Sequence, residues 1–259
     1  MGKMFAVMSG KGGVGKSTLS AALAVYYARS GLNTILLDGD VGLRCADLML
    51  DVQDKVVYDL GDLVEKRCTA EQALVSPAGL PQLSLVAAPQ LMKASEMKNR
   101  EVAQWIARLG ARADVLLIDA PAGIGRGLKN LLGTAAAPVI VATPDDVSVR
   151  DAERLAQLLS ERGETRPALV LNRVNERLIR SGEMRPPQAL AQALDLPLAG
   201  VAPESPAVYR ALLAHRTALD CGDRAVQDAV ERIAGRLLGA DVPLPEYAPS
   251  PVWRFFHRR

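Results

Sequence analysis

Cysteine is scarce in this 259-residue chain: Cys45, Cys68 and Cys221 stand far apart, with no C-x-x-C pair among them. Such isolation argues against a disulfide framework or an iron–sulfur ligand set and points to a reducing compartment. An excess of one charge is missing too. The 31 Lys and Arg against 29 Asp and Glu leave a formal net charge of +2, so no global field holds a polyanion, and any anionic partner must be gripped locally. No apolar run approaches the ~20 residues that span a bilayer. The opening MGKMFAVMSG lacks the basic, apolar and small-residue sections of a signal peptide, and Ala6 stands where myristoylation needs Ser or Thr, so the expectation is a chain made and kept inside the cell.

Core-forming material is plentiful: 49% of residues are hydrophobic, enough for one large domain. Short apolar runs at 4–8, 34–37, 83–87, 115–118, 139–142, 168–171 and 198–201 read as buried parallel strands. Helical patterns lie between and after them, at 16–30, 100–109, 147–162, 187–194, 206–215 and 223–238. Alternating strand and helix implies crossover units, hence an α/β fold with a mostly parallel, doubly wound sheet covered by helices on both faces. Residues 1–240 form that domain. Pro243, Pro245, Pro249 and Pro251 make 241–251 a stiff extended spacer rather than packed structure, and 252–259 a separate tail.

Between the first run and the first helix stands SGKGGVGKST, in which Gly10, Gly15, Lys16 and Ser17 satisfy G-x-x-x-x-G-K-[ST]. A strand before and a helix after give the context that phosphate binding requires. The backbone N–H groups of Gly10, Lys11, Gly12, Gly13, Val14, Gly15, Lys16, Ser17 and Thr18 are expected to wrap the phosphates at the positive end of the helix. Lys16 reaches the β- and γ-phosphates, and the Ser17 hydroxyl ligates Mg²⁺. Lys11 is surplus to that motif. Because the chain reverses between the two lysines, Lys11 points elsewhere, and a neighbouring subunit's nucleotide is a natural destination.

Carboxylates follow two strands: Asp38 and Asp40 in ILLDGDVGL, and Asp119 in VLLIDAPAG. Ligands of open α/β sheets bind beyond the carboxyl ends of the strands. Phosphoryl transfer there needs one carboxylate for the Mg²⁺ shell and another for the attacking water. The base is argued from an absence. Guanine readers of this fold carry Asn-Lys-x-Asp at a strand end, whereas Asn172-Arg173-Val174-Asn175 lacks the accepting carboxylate. Asn172 can read an adenine edge and Arg173 can stack on its face, which favours ATP over GTP.

SPVWRFFHRR gathers two of the three Phe and one of the two Trp into its last eight residues. Wound as a helix, Val252, Trp253, Phe255 and Phe256 fall within an arc of about 160°, opposite Arg254, His257 and Arg258, with Arg259 last. Such a tip suits an anionic phospholipid surface, the aromatics at the acyl boundary and the arginines on head groups.

These stretches resemble the MinD/ParA family of ATPases with a deviant Walker A loop. KGGVGKST matches its loop, DGDVGLRCADLML its switch I, LLIDAPAGIGRG its Walker B and switch II, and TPDDVSVRDAERL and NRVNERLIRSGEM later segments. The resemblance implies that Lys11 enters the partner's active site when two subunits sandwich two ATP molecules. It assigns Lys11, Lys16 and Asp40 to catalysis, Asp40 orienting the water. It sets Asp38 beside the metal with Ser17 and Asp119, and it adds Pro203 to the base pocket. Within the family the likeness to the division-site ATPases implies an ATP-bound homodimer on the cytoplasmic face of the cell membrane. There it would recruit a MinC-like division inhibitor and be released by a MinE-like or other topological activator of hydrolysis. The alternatives are a flagellar-number regulator of the FlhG type and a ParA-type DNA-partitioning ATPase; the absence of a lysine-rich face argues that no DNA is bound.

Overall fold

The computed structural model describes residues 2–41, 44–90, 99–129 and 131–247. Seven strands, β1 (Lys3–Ser9), β2 (Thr34–Asp38), β3 (Leu83–Val86), β4 (Val115–Ala122), β5 (Ala137–Ala142), β6 (Ala168–Val174) and β7 (Leu198–Pro203), pair in the order β3-β2-β4-β1-β5-β6-β7. Every pairing in the sheet is parallel. Each apolar run of the sequence became one of these strands, because a strand covered on both faces needs apolar residues on both.

Successive residues feed two cores. Ala6, Met8, Ile35, Leu37, Leu116 and Ile118 face one layer, while Phe5, Val7, Leu36, Val115 and Leu117 face the other. The first layer is covered by α3 (Leu60–Val64), α5 (Asn99–Gly110), α7 (Asp146–Glu161) and α9 (Pro187–Ala193). The second is covered by α1 (Lys16–Arg29) and α11 (Arg224–Leu237). The buried Tyr27 hydroxyl donates to the Ala234 carbonyl at 3.0 Å, tying α1 to α11.

Short helices α2 (Ala46–Met49), α4 (Ala70–Ala73), α6 (Arg126–Lys129) and α8 (Glu176–Arg180) sit in the connections, and α10 (Pro206–Leu213) follows β7. Four or five residues are too few to show a helical period, which is why the sequence pattern passes over them. Side chains cap several helices: Asp59 and Asp62 form a capping box on α3, Asp145 caps α7 and Asp223 caps α11. α1 has no side-chain cap. Gly15 precedes it in the left-handed conformation, and its first N–H groups are left for something outside the helix.

One expectation needs correction. Residues 241–247 have no helix or strand, yet they pack back on the domain instead of standing off as a spacer: Leu244 and Tyr247 lie against the buried cluster under α9. The Pro245 carbonyl accepts from Gln188 Nε2 at 2.9 Å, and the Val242 carbonyl accepts from Arg236 at 2.6 Å. Proline stiffens a chain but leaves its carbonyls and neighbouring apolar side chains free to dock. The rest of the spacer and the tail residues Val252, Trp253, Arg254, Phe255, Phe256, Arg258 and Arg259 lie outside the described residues.

Candidate nucleotide site

β1, β2 and β4 are neighbours, so their carboxyl ends deliver the glycine loop, Asp38 and Asp119 to one place. Asp38 and Asp119 are register partners on β2 and β4, each 1% exposed. The loop is shaped by glycine. Gly13 and Gly15 take φ of +81° and +92°, and a Cβ on Gly15 would stand 2.2 Å from Asn172 Nδ2. That closeness is used: Asn172 Nδ2 donates to the Val14 carbonyl at 2.8 Å, bolting the end of β6 to the loop.

Lys16 opens α1 with its ammonium buried, donating to Asp119 Oδ1 at 2.9 Å and to Ser17 Oγ at 3.3 Å. Ser20 completes the cluster, its hydroxyl 3.0 Å from the same Asp119 oxygen. Asp119 Oδ2 is buried without a hydrogen-bond partner among the described residues. An orphaned carboxylate oxygen beside a serine hydroxyl fits a hydrated Mg²⁺, which keeps several waters and takes only one or two protein carboxylates besides the phosphates. In agreement, no group of three His, Cys, Asp or Glu that could cage a metal occurs among the described residues.

Asp38 faces differently. Its oxygens accept from the Asp40 amide at 3.0 Å and the Ala46 amide at 3.2 Å, so it folds the loop after β2 around itself. Burial, and then the neighbouring Asp119 carboxylate, push its pKa up to about 7 against those hydrogen bonds and Lys16. Asp40 lies half-buried on that loop, its pKa raised by burial and Asp119 and lowered by Lys16.

Lys11 leaves the loop the other way. Its ammonium pairs with Asp145 Oδ1 at 3.0 Å, the two side chains 32% and 50% exposed. Partial burial raises the Asp145 pKa, but hydrogen bonds from Thr143 and Ser148 and the Lys11 ammonium overcome it and hold the group at about 2. A Cβ on Gly10 would stand 2.4 Å from the Asp151 carbonyl, so α7 rests directly on the loop. Beside Gly15 and Thr18 a cleft of about 1100 Å³ opens at the ends of β6 and β7, lined by Asn172, Arg173, Pro203 and the exposed Tyr209. Gly15 and Thr18 thus border the cleft that holds Asn172, Arg173 and Pro203, while Lys11, Gly12, Gly13 and Val14 border a second hollow with Asp145; Asp38, Asp40 and Asp119 line neither. Ser20 and Asp145 were not foreseen; each carried a signal, Ser20 one turn beyond Lys16 on the same helix face and Asp145 as an N-cap ahead of Ser148.

Two outcomes follow from the buried charges. Lys16→Ala abolishes nucleotide binding in a filter or fluorescence assay and destabilises the nucleotide-free protein by about 3–5 kcal/mol, since it strands a buried carboxylate; the Lys16→Ala/Asp119→Ala double variant recovers part of that loss in denaturant melts. Asp38 binds its proton more tightly folded than unfolded. Its contribution to stability is therefore complete below pH about 4 and drains away as pH rises toward about 7. Stability of the wild type measured across that window shows this fall, and Asp38→Asn lacks it.

The family model described as ParA, NUBPL iron-transfer P-loop NTPase, matches residues 1–174. Cys45, Cys68 and Cys221 form no C-x-x-C pair and no disulfide. The septum site-determining protein MinD of Helicobacter pylori is 34% identical over 250 residues, covering 93% of this chain and 92% of that protein. Among solved structures, the MinC:MinD cell division complex of Aquifex aeolicus contains a chain 30% identical, with a TM-score of 0.84 over 95% of this chain and 99% of that one. MinD of Pyrococcus horikoshii complexed with Mg-ADP is 25% identical, with a TM-score of 0.81 over 93% of this chain and 100% of that one. With the loop, both lysines and the strand-end carboxylates in place along a matching sheet, the chain belongs to the MinD/ParA family of P-loop ATPases, on its MinD side.

Proposed function

We propose that this protein is a dimerising ATPase of the division-site type, which binds Mg²⁺-ATP, docks on the cytoplasmic face of the cell membrane as a pair, recruits a MinC-like inhibitor of division and leaves when hydrolysis ends the pairing. The observation that carries it is the split between the two loop lysines. Lys16 is sunk among its own subunit's carboxylates, while Lys11 is displayed on the surface, where a facing subunit's triphosphate can reach it.

Within one subunit, the uncapped start of α1 and the loop amides cradle the phosphates, and incoming negative charge draws Lys16 away from Asp119. Asp119 and Ser17 would hold Mg²⁺, which neutralises charge on the β- and γ-phosphates. Asp40 orients the attacking water, and Asp38 keeps Asp40 in reach by binding its amide. Asn172, Arg173 and Pro203 take the adenine in the cleft behind the loop. Lys11 from the partner adds positive charge where negative charge builds during transfer, so hydrolysis belongs to the dimer.

No helix among the described residues is long and apolar enough to cross a membrane. The tail supplies the alternative. Eight residues are too few for a stable helix in water, and each arginine gains only ~1 kcal/mol near an anionic surface. One tail holds weakly; two tails on one dimer act at high effective concentration and raise avidity by ~10² or more. Nucleotide state then sets membrane residence without altering the tail. The cell-division assignment draws on the MinD relatives and on the MinC:MinD complex of Aquifex aeolicus.

Lys11→Ala retains ATP binding as a monomer but forms no dimer with Mg²⁺-ATP in light scattering; a normal dimer mass contradicts the role given to it. Deleting residues 252–259 leaves a dimerising ATPase that no longer sediments with anionic vesicles, whereas continued sedimentation places the lipid contact elsewhere.

A further inference from the structure

The carboxylate that holds Lys11 is unusually well fixed for a surface group. Asp145 sits where β5 hands over to α7: its Oδ1 accepts the Ser148 amide at 2.9 Å, and its Oδ2 accepts the Thr143 hydroxyl. The Thr143 amide in turn donates to Ser148 Oγ at 2.9 Å, closing a ring around the turn. α7 is itself seated on the loop, with the Asp151 carbonyl against Gly10. The acceptor therefore cannot follow Lys11 if the lysine moves. Any movement of Lys11 toward a second subunit breaks this contact.

We propose that Asp145 is a positioning residue for Lys11, holding it within its own subunit until the triphosphate of a facing subunit displaces the carboxylate. This rests on the dimerising reading above. Dimerisation becomes an exchange of anions for one ammonium: a single-charged carboxylate in the lone subunit, a multiply charged triphosphate in the pair. A diphosphate lacks the γ-phosphate and competes less well, so the latch sharpens the distinction between ATP and ADP. A half-exposed ion pair is weak and screened by salt, which makes Asp145 a bias on the equilibrium and not a lock.

The test is sedimentation of the full chain over a range of protein concentrations with Mg²⁺-ATP and with Mg²⁺-ADP. Asp145→Asn removes the charge but keeps a good N-cap for Ser148; Asp145→Ser does the same with a shorter side chain. Both move the ATP-dimer midpoint three- to tenfold toward lower concentration and yield measurable dimer with ADP, in spite of a small fall in melting temperature from the lost carboxylate. Asp145→Glu, which retains the carboxylate, stays near the wild type. If the wild type dimerises and the neutral variants do not shift its midpoint, or if Glu behaves like Asn, the latch is wrong while the dimer stands. A wild type that stays monomeric with Mg²⁺-ATP overturns the dimerising reading and this inference together.

Discussion

Two ammonium groups on one short loop answer to two different carboxylates, and the rest of the site depends on that division. Glycine makes it possible, because only a backbone free to turn through positive φ at Gly13 and Gly15 can point Lys16 inward and Lys11 outward within so few residues. The inward lysine neutralises Asp119 in a place too dry to tolerate a lone charge. The outward lysine meets Asp145 at a contact that water and salt can loosen. One is committed to its own nucleotide; the other is available to a second molecule.

Under the function proposed above, that asymmetry would give a membrane switch by mass action alone. A weak tail needs no conformational control if its number per particle is controlled, and the number is set by whether two subunits share their phosphates. On that proposal, hydrolysis would remove the γ-phosphate that the partner's lysine meets, and each subunit would return to a single anchor. The buried Asp38 holds the loop that carries Asp40 beside Asp119, since that loop is folded around it.

Much of this could be read in the residues, for physical reasons. Buried parallel strands are continuous apolar runs, so all seven were visible, and the phosphate loop announces itself because glycine, lysine and serine must stand at fixed spacing. The misses share a different cause. α2, α4, α6 and α8 make little more than one turn each, too short to repeat the period that reveals a helix. Ser20 became part of the site only when β4 brought Asp119 against α1, and Asp145 met Lys11 across 134 positions of sequence, distances at which local pattern is silent. Proline content suggested a free spacer at 241–251, but in its described part, 241–247, Leu244 and Tyr247 found an apolar surface to cover. Asp38 reads from sequence as a metal-side acid, and its second task, holding the loop after β2 by accepting from two backbone amides, shows only in the fold.

The central claim is that Lys11 completes the other subunit's site, and mixing two inactive variants tests it directly. Lys11→Ala lacks the donated lysine but keeps its own Asp40; Asp40→Ala lacks the water-orienting carboxylate but can donate Lys11. The account predicts that phosphate release, absent from each variant alone, returns on mixing to as much as half the wild-type rate per mixed dimer. No recovery, with mixed dimers shown to form, would contradict it and return Lys11 to its own subunit.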